Sequence, residues 1–401
     1  MIAGAILGAG LVSGGMLIES GAWREAGAST ASIRLLDQVM SRLRQDYVDS
    51  ISTDDMYRRA ASGFVKELDD PYSVLLTPER YRRLRELTSG RYAGIGVEID
   101  LRDGFITVIA PLAGTPADSA GIRPGDRITS IDGKPTHGLT MEEVQAALRG
   151  APGTKVKLGL DRDADHPVMT LTRREIVYHP VQRSALFGSA GYVDLATFSE
   201  RAAGELRHTI DSLRAAGARS LILDLRENPG GLLEQGISVA DLFLDKGQTI
   251  ASTRGRMPES NHEFDDDEAQ RWRGMPIVVL VDSGTASAAE IVAGAVQDNK
   301  RAVLVGSPTY GKGSAQSIYP MTDGYALKLT SARWFTPNGK TIERDSTKGG
   351  ITPDVVVRPP EAEQPLATRD PATDPVVRRA LELLNGVRTP DELRARVPKR
   401  R

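Results

Sequence analysis

A serine among very small residues is the first group in this sequence that could carry out a reaction. Ser287 lies in DSGTASAAE, between PIVVLV, which has the apolar character of a buried strand, and IVAGAVQDN, which has the pattern of a closely packed helix. A serine at such a strand-to-helix turn is a candidate nucleophile, and the alternative is an ordinary helix N-cap. A nucleophilic serine requires a base that accepts its proton, so the base has to be found.

Histidine is the usual partner of a nucleophilic serine. The chain has five histidines, and none lies in a distinctive setting: His137, His166, His179, His208 and His262. The other general base for serine is a lysine that is held neutral. The segment VLVGSPTYGKGSAQ offers Lys312, which lies between Gly311 and Gly313.

The same lysine segment also resembles most of a phosphate-binding loop. Gly306 to Lys312 fits G-x-x-x-x-G-K after a predicted strand. That motif requires Ser or Thr directly after the lysine and then a helix. Gly313 follows instead, and SAQSIYP has no helical pattern. The sequence therefore favours a lysine base over a nucleotide site.

Composition excludes several other classes of function. The chain has 401 residues, enough for two or three domains, and a net charge of −2, which gives no electrostatic case for nucleic acid. It has no cysteine, so disulfides, cysteine nucleophiles and thiolate metal sites are excluded. We recognise no metal-ligand cluster and expect neither a metal nor a cofactor, so chelators should leave the activity of the protein unchanged.

The N-terminus predicts export. MIAGAILGAGLVSGGMLI carries no charge before Glu19, which makes residues 1–18 long enough to be marginal for a membrane span. We interpret residues 1–28 as a signal or membrane anchor, and expect an extracytoplasmic, periplasmic location, either free or anchored. A buried Gly/Ala-rich helix is the alternative.

Residues 29–90 have helical periodicity in LLDQVMSRLRQDYV, MYRRAASGFVKEL and ERYRRLREL. Their arginines are typical of a solvated face, although a homo-oligomer or adaptor surface is an alternative.

From Arg91 the pattern changes to short strands separated by glycine turns. GIGVEI followed by TPADSAGIRPGDRITSIDG, a helix ending in RG and a GTKV strand resembles a PDZ domain of the bacterial protease type, which we assign to residues 91–174.

The PDZ resemblance implies a binding site for a peptide C-terminus. Such domains add an extended peptide as a strand and hold its carboxylate in a nest of backbone N–H groups. The matching segment is Tyr92, Ala93, Gly94, Ile95, Gly96 and Val97, whose two glycines permit a close backbone approach.

Residues 175–360 alternate strands with helices. AGYVDLATF, SLILDLR, PIVVLVD, AVLVG and YALKLTSAR predict strands of an α/β layered core. Residues 361–401 follow as a proline-rich linker, a short helix and a basic tail. The predicted fold class is α/β (α+β, multidomain).

DSGTASAAEIVAGAVQDNKRAVLVGSPTYGKGSAQ closely resembles the catalytic stretch of the C-terminal processing peptidases, PDZ-containing serine proteases with a Ser–Lys dyad. DLRENPGG, WFTPNGKTIE and GITPDVVV resemble further signatures of that family, in the family's order. The resemblance implies a crotonase-like core in which Ser287 is the nucleophile, Lys312 the general base and Gln316 the residue that orients it. Thr285 and Ala289 stand where many members have serine, which leaves the nucleophile assignment intact.

The physical chemistry agrees with this assignment. Free lysine has a pKa of about 10.4, and desolvation lowers that value, so a buried amine can accept a proton at neutral pH. A helix N-terminus leaves the Ala288 N–H able to donate to an oxyanion, and Gly230 or Gly231 would supply a second donor. Small neighbours leave room for the substrate backbone.

Members of this family have an acidic residue at the position that Asp298 occupies in this chain, eleven residues after Ser287. On a continuous helix that separation is about 16 Å, so a structural role at the helix end is favoured over catalysis. Glu290, three residues after Ser287, is interpreted as a capping or packing group.

The sequence thus predicts a serine endopeptidase that recognises the C-terminus of a protein or peptide substrate through its PDZ domain. A catalytically silent PDZ adaptor is the alternative, and the presence of Ser287, Lys312 and Gln316 argues against it. The PDZ domain is expected to read a free C-terminus and to gate the site; a passive tether and a simple lid are the other options.

Overall fold

The computed structural model describes residues 30–162, 165–343, 349–357 and 370–397. The predicted anchor at 1–28 and the proline-rich segment at 358–369 lie outside these residues. The chain divides into two compact units. The first comprises the chain up to Tyr81 together with Gln316–Ser331, and the second comprises Arg82–Ala315 and the chain from Ala332 onward.

The first unit is built from N-terminal helices and short strands. α1 spans Thr30–Asp46, α2 Thr53–Lys66 and β1 Val74–Leu76, and α3, Pro78–Ser89, begins in this unit. α2 starts where Ser52 Oγ accepts the N–H of Asp55, which satisfies one of the unpaired donors of a first helical turn. β1 pairs antiparallel with the start of β18, Ala326–Phe335, and β17, Ser314–Pro320, pairs with β18.

The first part of the second unit is an antiparallel domain with its own core. Its elements are β2 Arg91–Gly94, β3 Val97–Arg102, β4 Phe105–Pro111, α4 Pro116–Ser119, β5 Arg127–Ile131, β6 Lys134–Pro135, α5 Met141–Leu148, β7 Lys155–Asp161, β8 Val168–Thr172 and β9 Arg174–Val177. The sheet order is β3-β4-β5-β7-β8, with β6 beside β5. Buried apolar side chains from Ile95 to Leu171 form one cluster. β2 pairs with β9, so the two ends of the domain meet.

A six-stranded sheet forms the centre of the remaining part. It contains β10 Val181–Phe187, β11 Ala190–Leu195, β12 Ser220–Asp224, β15 Ile277–Val281, β16 Val303–Gly306 and β19 Val355–Val356, in the order β10-β11-β12-β15-β16-β19. β10 is antiparallel to β11, and the other pairs are parallel. Every residue of β11, β12, β15 and β16 is buried, as expected for a parallel sheet covered on both faces.

Helices cover both faces of this sheet. α6 Ala202–Ala215, α7 Leu233–Asp241 and α8 Ala288–Asp298 share one hydrophobic cluster with one set of sheet side chains. α9 Pro375–Leu384 and α10 Pro390–Ala395 share a second cluster with the alternate set, which includes Ile222 and Val278. β13 Thr249–Gly255 pairs with the end of β18 and with β14 His262–Asp265.

The structure departs from the sequence expectations in several elements. The helical region 29–90 also contains β1, which was not expected, and the segment YAGIGVEIDL forms the two strands β2 and β3. β10, β13, β14 and β17 were not expected either. The C-terminal helix was assigned to a linker-and-tail region, whereas α9 and α10 pack against the six-stranded sheet. None of the helices in the described ranges has the length and apolar character that a bilayer crossing requires.

Candidate active site

Ser287 lies in a strained backbone conformation at the start of a buried helix. β15 ends at Val281, a short loop follows, and α8 begins at Ala288. Ser287 has φ 55° and ψ −118°. A non-glycine residue in this region costs of the order of 1–3 kcal/mol, and it persists only where surrounding contacts hold it. Ser287 is therefore a residue whose orientation is imposed by its surroundings.

Asp282 ties the serine loop to the neighbouring loop. Its Oδ1 accepts the N–H groups of Glu227, Gly284 and Thr285 at 2.9–3.1 Å. The Thr285 hydroxyl donates to the Leu225 carbonyl at 2.7 Å. These bonds join the loop after β15 to the loop after β12, since both strands end at the same edge of the parallel sheet.

Glu290 connects the serine segment to the lysine segment. It is fully buried on α8. One carboxylate oxygen, Oε2, accepts the N–H of Ser287 and the N–H of Lys312, both at 2.9 Å. The other, Oε1, accepts the Gly311 N–H at 2.7 Å and the Thr309 hydroxyl at 2.5 Å. Two residues 25 positions apart in sequence are thus held with their backbone nitrogens on one oxygen atom.

Burial raises the pKa of Glu290, and the hydrogen bonds from Thr309, Lys312, Gly311 and Ser287 offset that rise only in part. The four contacts fix the position of both carboxyl oxygens inside the protein.

The backbone of Lys312 is also anchored on its other side. The indole N–H of Trp334, which is buried, donates to the Lys312 carbonyl at 2.9 Å, and the Trp334 N–H donates to the Gly313 carbonyl at 2.9 Å. A Cβ at Gly313 would lie 2.8 Å from the Glu343 nitrogen, which explains the glycine after the lysine. The strand that carries Trp334 therefore fixes the path of the chain through Lys312.

The N-terminus of α8 and the glycine loop after β12 face each other. A Cβ at Gly230 would lie 2.8 Å from the Ala288 nitrogen and 2.9 Å from the Ser287 Cβ. The absence of a side chain at Gly230 therefore leaves space directly in front of the Ala288 N–H. No acceptor among the described residues takes this N–H.

The structure distinguishes the two glycines that the sequence left as alternatives. The Gly230 N–H donates to the side-chain oxygen of Asn228 at 2.8 Å, so it is already used within the loop. The Gly231 N–H has no acceptor within the described part of the chain, and Gly231 is exposed. Gly231 is therefore the better candidate for the second oxyanion donor, and Gly230 contributes the space.

A buried ionic group lies behind the glycine loop. Arg226 donates to both oxygens of Asp224 and, from Nη1, to both oxygens of Asp374 at 3.0 Å. Burial acts to lower the pKa of Arg226, but the two carboxylates outweigh it, so the pKa is raised. Asp374 caps α9, so the C-terminal helices support the loop that carries Gly231.

Other predicted residues lie in different settings. Gln316 belongs to the first unit, in β17, where its side-chain amide contacts Thr330 Oγ1 at 3.4 Å. Asp298 is the last residue of α8, and its Oδ2 accepts the Asn338 N–H at 3.1 Å, a helix-end contact. Three histidines have partners away from Ser287: Asp161 for His166, Glu205 for His179 and the Glu259 carbonyl for His262.

The predicted peptide-binding segment turns between β2 and β3. Gly96 has φ 74°, and a Cβ there would lie 2.4 Å from the Thr115 side chain, so only glycine fits. The Ile95 carbonyl accepts the Ala117 N–H, and the Gly96 carbonyl accepts the Leu112 N–H, each at 2.9 Å. The N–H groups of Ile95 and Gly96 have no acceptor among the described residues. β3 is an edge strand, so it can accept an added strand.

These features define a serine hydrolase core that carries a peptide-binding domain. A model of peptidase family S41 matches residues 189–357, and a PDZ-domain model matches residues 107–162. Both matches fall inside the regions that the sequence analysis assigned.

Known proteins agree with this class. The chain is 36% identical to the carboxy-terminal processing protease CtpA of Bacillus subtilis, over 84% of this chain and 72% of that protein. It is 38% identical to a carboxy-terminal-processing protease of Bartonella bacilliformis, over 81% and 75%. A crystal structure from Bacteroides fragilis, provisionally classed as an S41 protease, has a similar fold, with a TM-score of 0.55 and 19% identity over 87% of this chain and 97% of that one.

The chain therefore belongs to peptidase family S41, among the carboxy-terminal processing proteases, and it is a serine peptidase with a PDZ domain. This confirms the predicted family, fold class and enzyme class. Sequence reasoning interpreted Glu290 as a cap and did not anticipate its bonds to Gly311 and Lys312. It also overlooked Asp282, although an acid directly after a buried strand was a usable signal.

Proposed function

We propose that this peptidase cleaves proteins that present a free C-terminus, with Ser287 as nucleophile and Lys312 as its base. The observation that carries the proposal is Glu290, whose single oxygen holds the backbone N–H groups of both residues. The buried Glu290 carboxyl group holds two distant segments together. A two-residue catalytic unit requires such a link, because small displacements of the reacting groups lower the reaction rate strongly.

In the first half of the reaction the neutral Lys312 amine accepts the proton of the Ser287 hydroxyl. The serine oxygen attacks the carbonyl carbon of the peptide bond, whose oxygen becomes negative. The Ala288 N–H and the Gly231 N–H donate to this oxyanion in the space that Gly230 leaves open. The Lys312 ammonium then returns its proton to the leaving amine, and the C–N bond breaks.

In the second half a water molecule replaces the amine. Lys312 accepts a proton from the water, the resulting hydroxide attacks the ester carbon, and the same two N–H groups stabilise the negative oxygen. The ester bond breaks, the serine oxygen recovers a proton from Lys312, and a carboxylic acid is released.

The test of the dyad is a set of three variants and two control variants, with a chromogenic peptide and an unfolded protein as substrates. Ser287→Ala and Lys312→Ala should each lower kcat by a factor of at least about 1000, and Lys312→Arg should fail equally, because a guanidinium group does not deprotonate. The matched controls are Ser283→Ala in the same loop and Lys340→Arg on an exposed turn. Wild-type kcat in Lys312→Arg would disprove the lysine base, and a folded wild-type protein that cleaves neither substrate would leave a PDZ adaptor as the function.

We also propose that the PDZ domain binds the substrate's terminal carboxylate. The Ile95 and Gly96 carbonyls are occupied inside the domain, so the N–H side of this turn is left for a ligand. A carboxylate in such a turn accepts backbone N–H groups, and the preceding residues pair with the edge of β3.

Amidation of the substrate isolates this contact. One unstructured peptide is compared with its free and its amidated C-terminus. The free form should have a KM lower by roughly tenfold, since a charged hydrogen-bonded contact is worth about 1.5–3 kcal/mol. A peptide of the same length with a free C-terminus and one internal residue altered is the control. Identical kinetics for the free and the amidated peptide would show that the PDZ domain does not recognise the terminal carboxylate, and would leave it a tethering role.

The uncharged residues 1–18 lead us to propose that the protein is exported and retained at the membrane. Cell fractionation with an antibody against the protease core tests this. Recovery in the cytoplasmic fraction would contradict the proposal.

A further inference from the structure

Three carboxylates meet at the end of α7, away from the residues of the proposed reaction. Oxygen atoms of Asp241, Asp266 and Asp267 all lie within 4.8 Å of one another. Asp241 is the last residue of α7, and the other two directly follow β14. Asp266 is held there by the backbone, since its carbonyl accepts the Gly247 N–H and its N–H donates to the Gln248 carbonyl.

Asp266 has an unsatisfied oxygen in the interior. The residue is 2% exposed. Its Oδ1 accepts the Glu268 N–H at 2.8 Å, whereas Oδ2 is buried and has no hydrogen-bond partner among the described residues. A buried carboxylate oxygen without a donor is rare, because it loses its hydration without replacement. This oxygen is therefore available to a ligand from solution, and the Asp241 carboxylate lies beside it.

The charge around the group is uncompensated. In the described ranges none of the three carboxylates forms an ion pair with a basic side chain, and the nearby Arg273 contacts Asp245 instead. α7 has no basic residue in its last turn, so the negative end of the helix dipole adds to the charge of Asp241. Burial and the neighbouring Asp241 raise the pKa of Asp266 to about 7.

We propose that Asp241, Asp266 and Asp267 bind a calcium ion that fastens the end of α7 to the segment after β14. The donors are all carboxylate oxygens, which suit a hard cation. Calcium binds oxygens at about 2.3–2.6 Å, so two of its ligands can lie as far as about 5 Å apart, which accommodates this group. Magnesium requires oxygens at about 2.0–2.1 Å and a tighter octahedron. Asp267 is exposed and opens the group to solvent.

The ion would act on structure and not on the reaction. α7 starts two residues after Gly231 and packs against α8, where a Cβ at Gly236 would lie 3.1 Å from the Ala288 Cβ. A cation at the far end of α7 therefore stabilises the helix that supports the active-site loops. Removing it should lower the Tm while kcat at 25 °C changes less than twofold.

The experiment is a metal titration of the full-length chain after treatment with EDTA and dialysis. CaCl2 should raise the Tm saturably, by roughly 5 °C at a hundredfold excess over Kd, and calorimetry should give one site per chain. Asp266→Asn and the exposed Asp267→Asn should abolish the rise. Asp265→Asn, an exposed acid just outside the group, should keep it.

Three results would overturn the proposal. They are no response to CaCl2 up to 10 mM, a rise in Tm that persists in both Asp266→Asn and Asp267→Asn, and a larger response to MgCl2 than to CaCl2. Asp267→Asn changes only an exposed side chain, so the test remains decisive even if Asp266→Asn folds poorly.

Discussion

Two buried carboxylates in the same protease core have opposite surroundings. Glu290 is surrounded by donors that belong to the protein: three backbone N–H groups and one hydroxyl. Asp266 faces another carboxylate and keeps one oxygen unpaired. The first site is complete as the chain folds, and the second requires something from solution. The difference shows that a buried acid organises its surroundings only where the fold supplies its partners.

The largest expected effect on kcat comes from removing the Glu290 carboxyl group. Glu290→Ala leaves the N–H groups of Ser287, Gly311 and Lys312 without their acceptor, so the serine and lysine segments lose their common anchor. We expect kcat to fall by at least about 100-fold, since a displacement of 1 Å can cost that much, while KM changes little. Steady-state kinetics on a short peptide measures both.

Glu290→Gln sharpens this comparison because it keeps the shape and replaces one acceptor oxygen by an amide N–H donor. Its amide would place an N–H against at least one existing donor, so its kcat should lie between those of wild type and Glu290→Ala. Glu234→Gln, on the exposed side of α7, is the control. A wild-type kcat in Glu290→Ala with an unchanged fold would show that the clamp has no role in catalysis.

A smaller effect is expected at Asp282, which joins the two active-site loops through one oxygen atom. Asp282→Ala removes the acceptor of three N–H groups and should lower kcat roughly tenfold, given a net value of about 0.5–1.5 kcal/mol per hydrogen bond. Asp282→Asn retains an oxygen in the same place and should recover most of the activity. Equal losses in both variants would indicate that charge, and not loop positioning, is what matters.

The smallest expected effect is on the Tm and concerns Asp266, measured in the presence of EDTA. The raised pKa of Asp266 means that folding favours its protonated form, so the stability it contributes is present below about pH 4 and is lost as the pH rises through about 7. Wild-type Tm should therefore fall more between pH 5 and pH 8 than that of Asp266→Asn, by roughly 2–4 °C for each kcal/mol. Parallel thermal melts measure the difference, and identical slopes would contradict it.

The central strands could be predicted because their apolar runs are unbroken. β12 and β15 are buried on both faces, and the continuous apolar runs in SLILDLR and PIVVLVD, which contain these strands, predict that burial. β10 and β17 are partly exposed, so their mixed composition gave no clear signal. The break at Ile95 and Gly96 inside YAGIGVEIDL depends on Thr115, about twenty residues away, which no local pattern contains.

The candidate site was predictable in its chemical groups and not in its supports. Ser287 and Lys312 follow from residue type and motif. The link between them through Glu290 depends on two loops meeting at one edge of the sheet, which only the fold determines. Nothing local in EFDDDE, residues 263–268, shows that Asp266 would be buried between exposed acids. Asp374 was assigned to the proline-rich linker for the same reason.

The backbone conformation of Ser287 also bears on how such an enzyme could lose its activity. At φ 55° the residue that would relax the chain is glycine, so replacing Ser287, the proposed nucleophile, by glycine should remove a strain of the order of 1–3 kcal/mol, whereas alanine keeps it. Under the proposed mechanism, loss of function at this position can therefore increase stability. A stable, inactive descendant of such an enzyme would then lie a single substitution away.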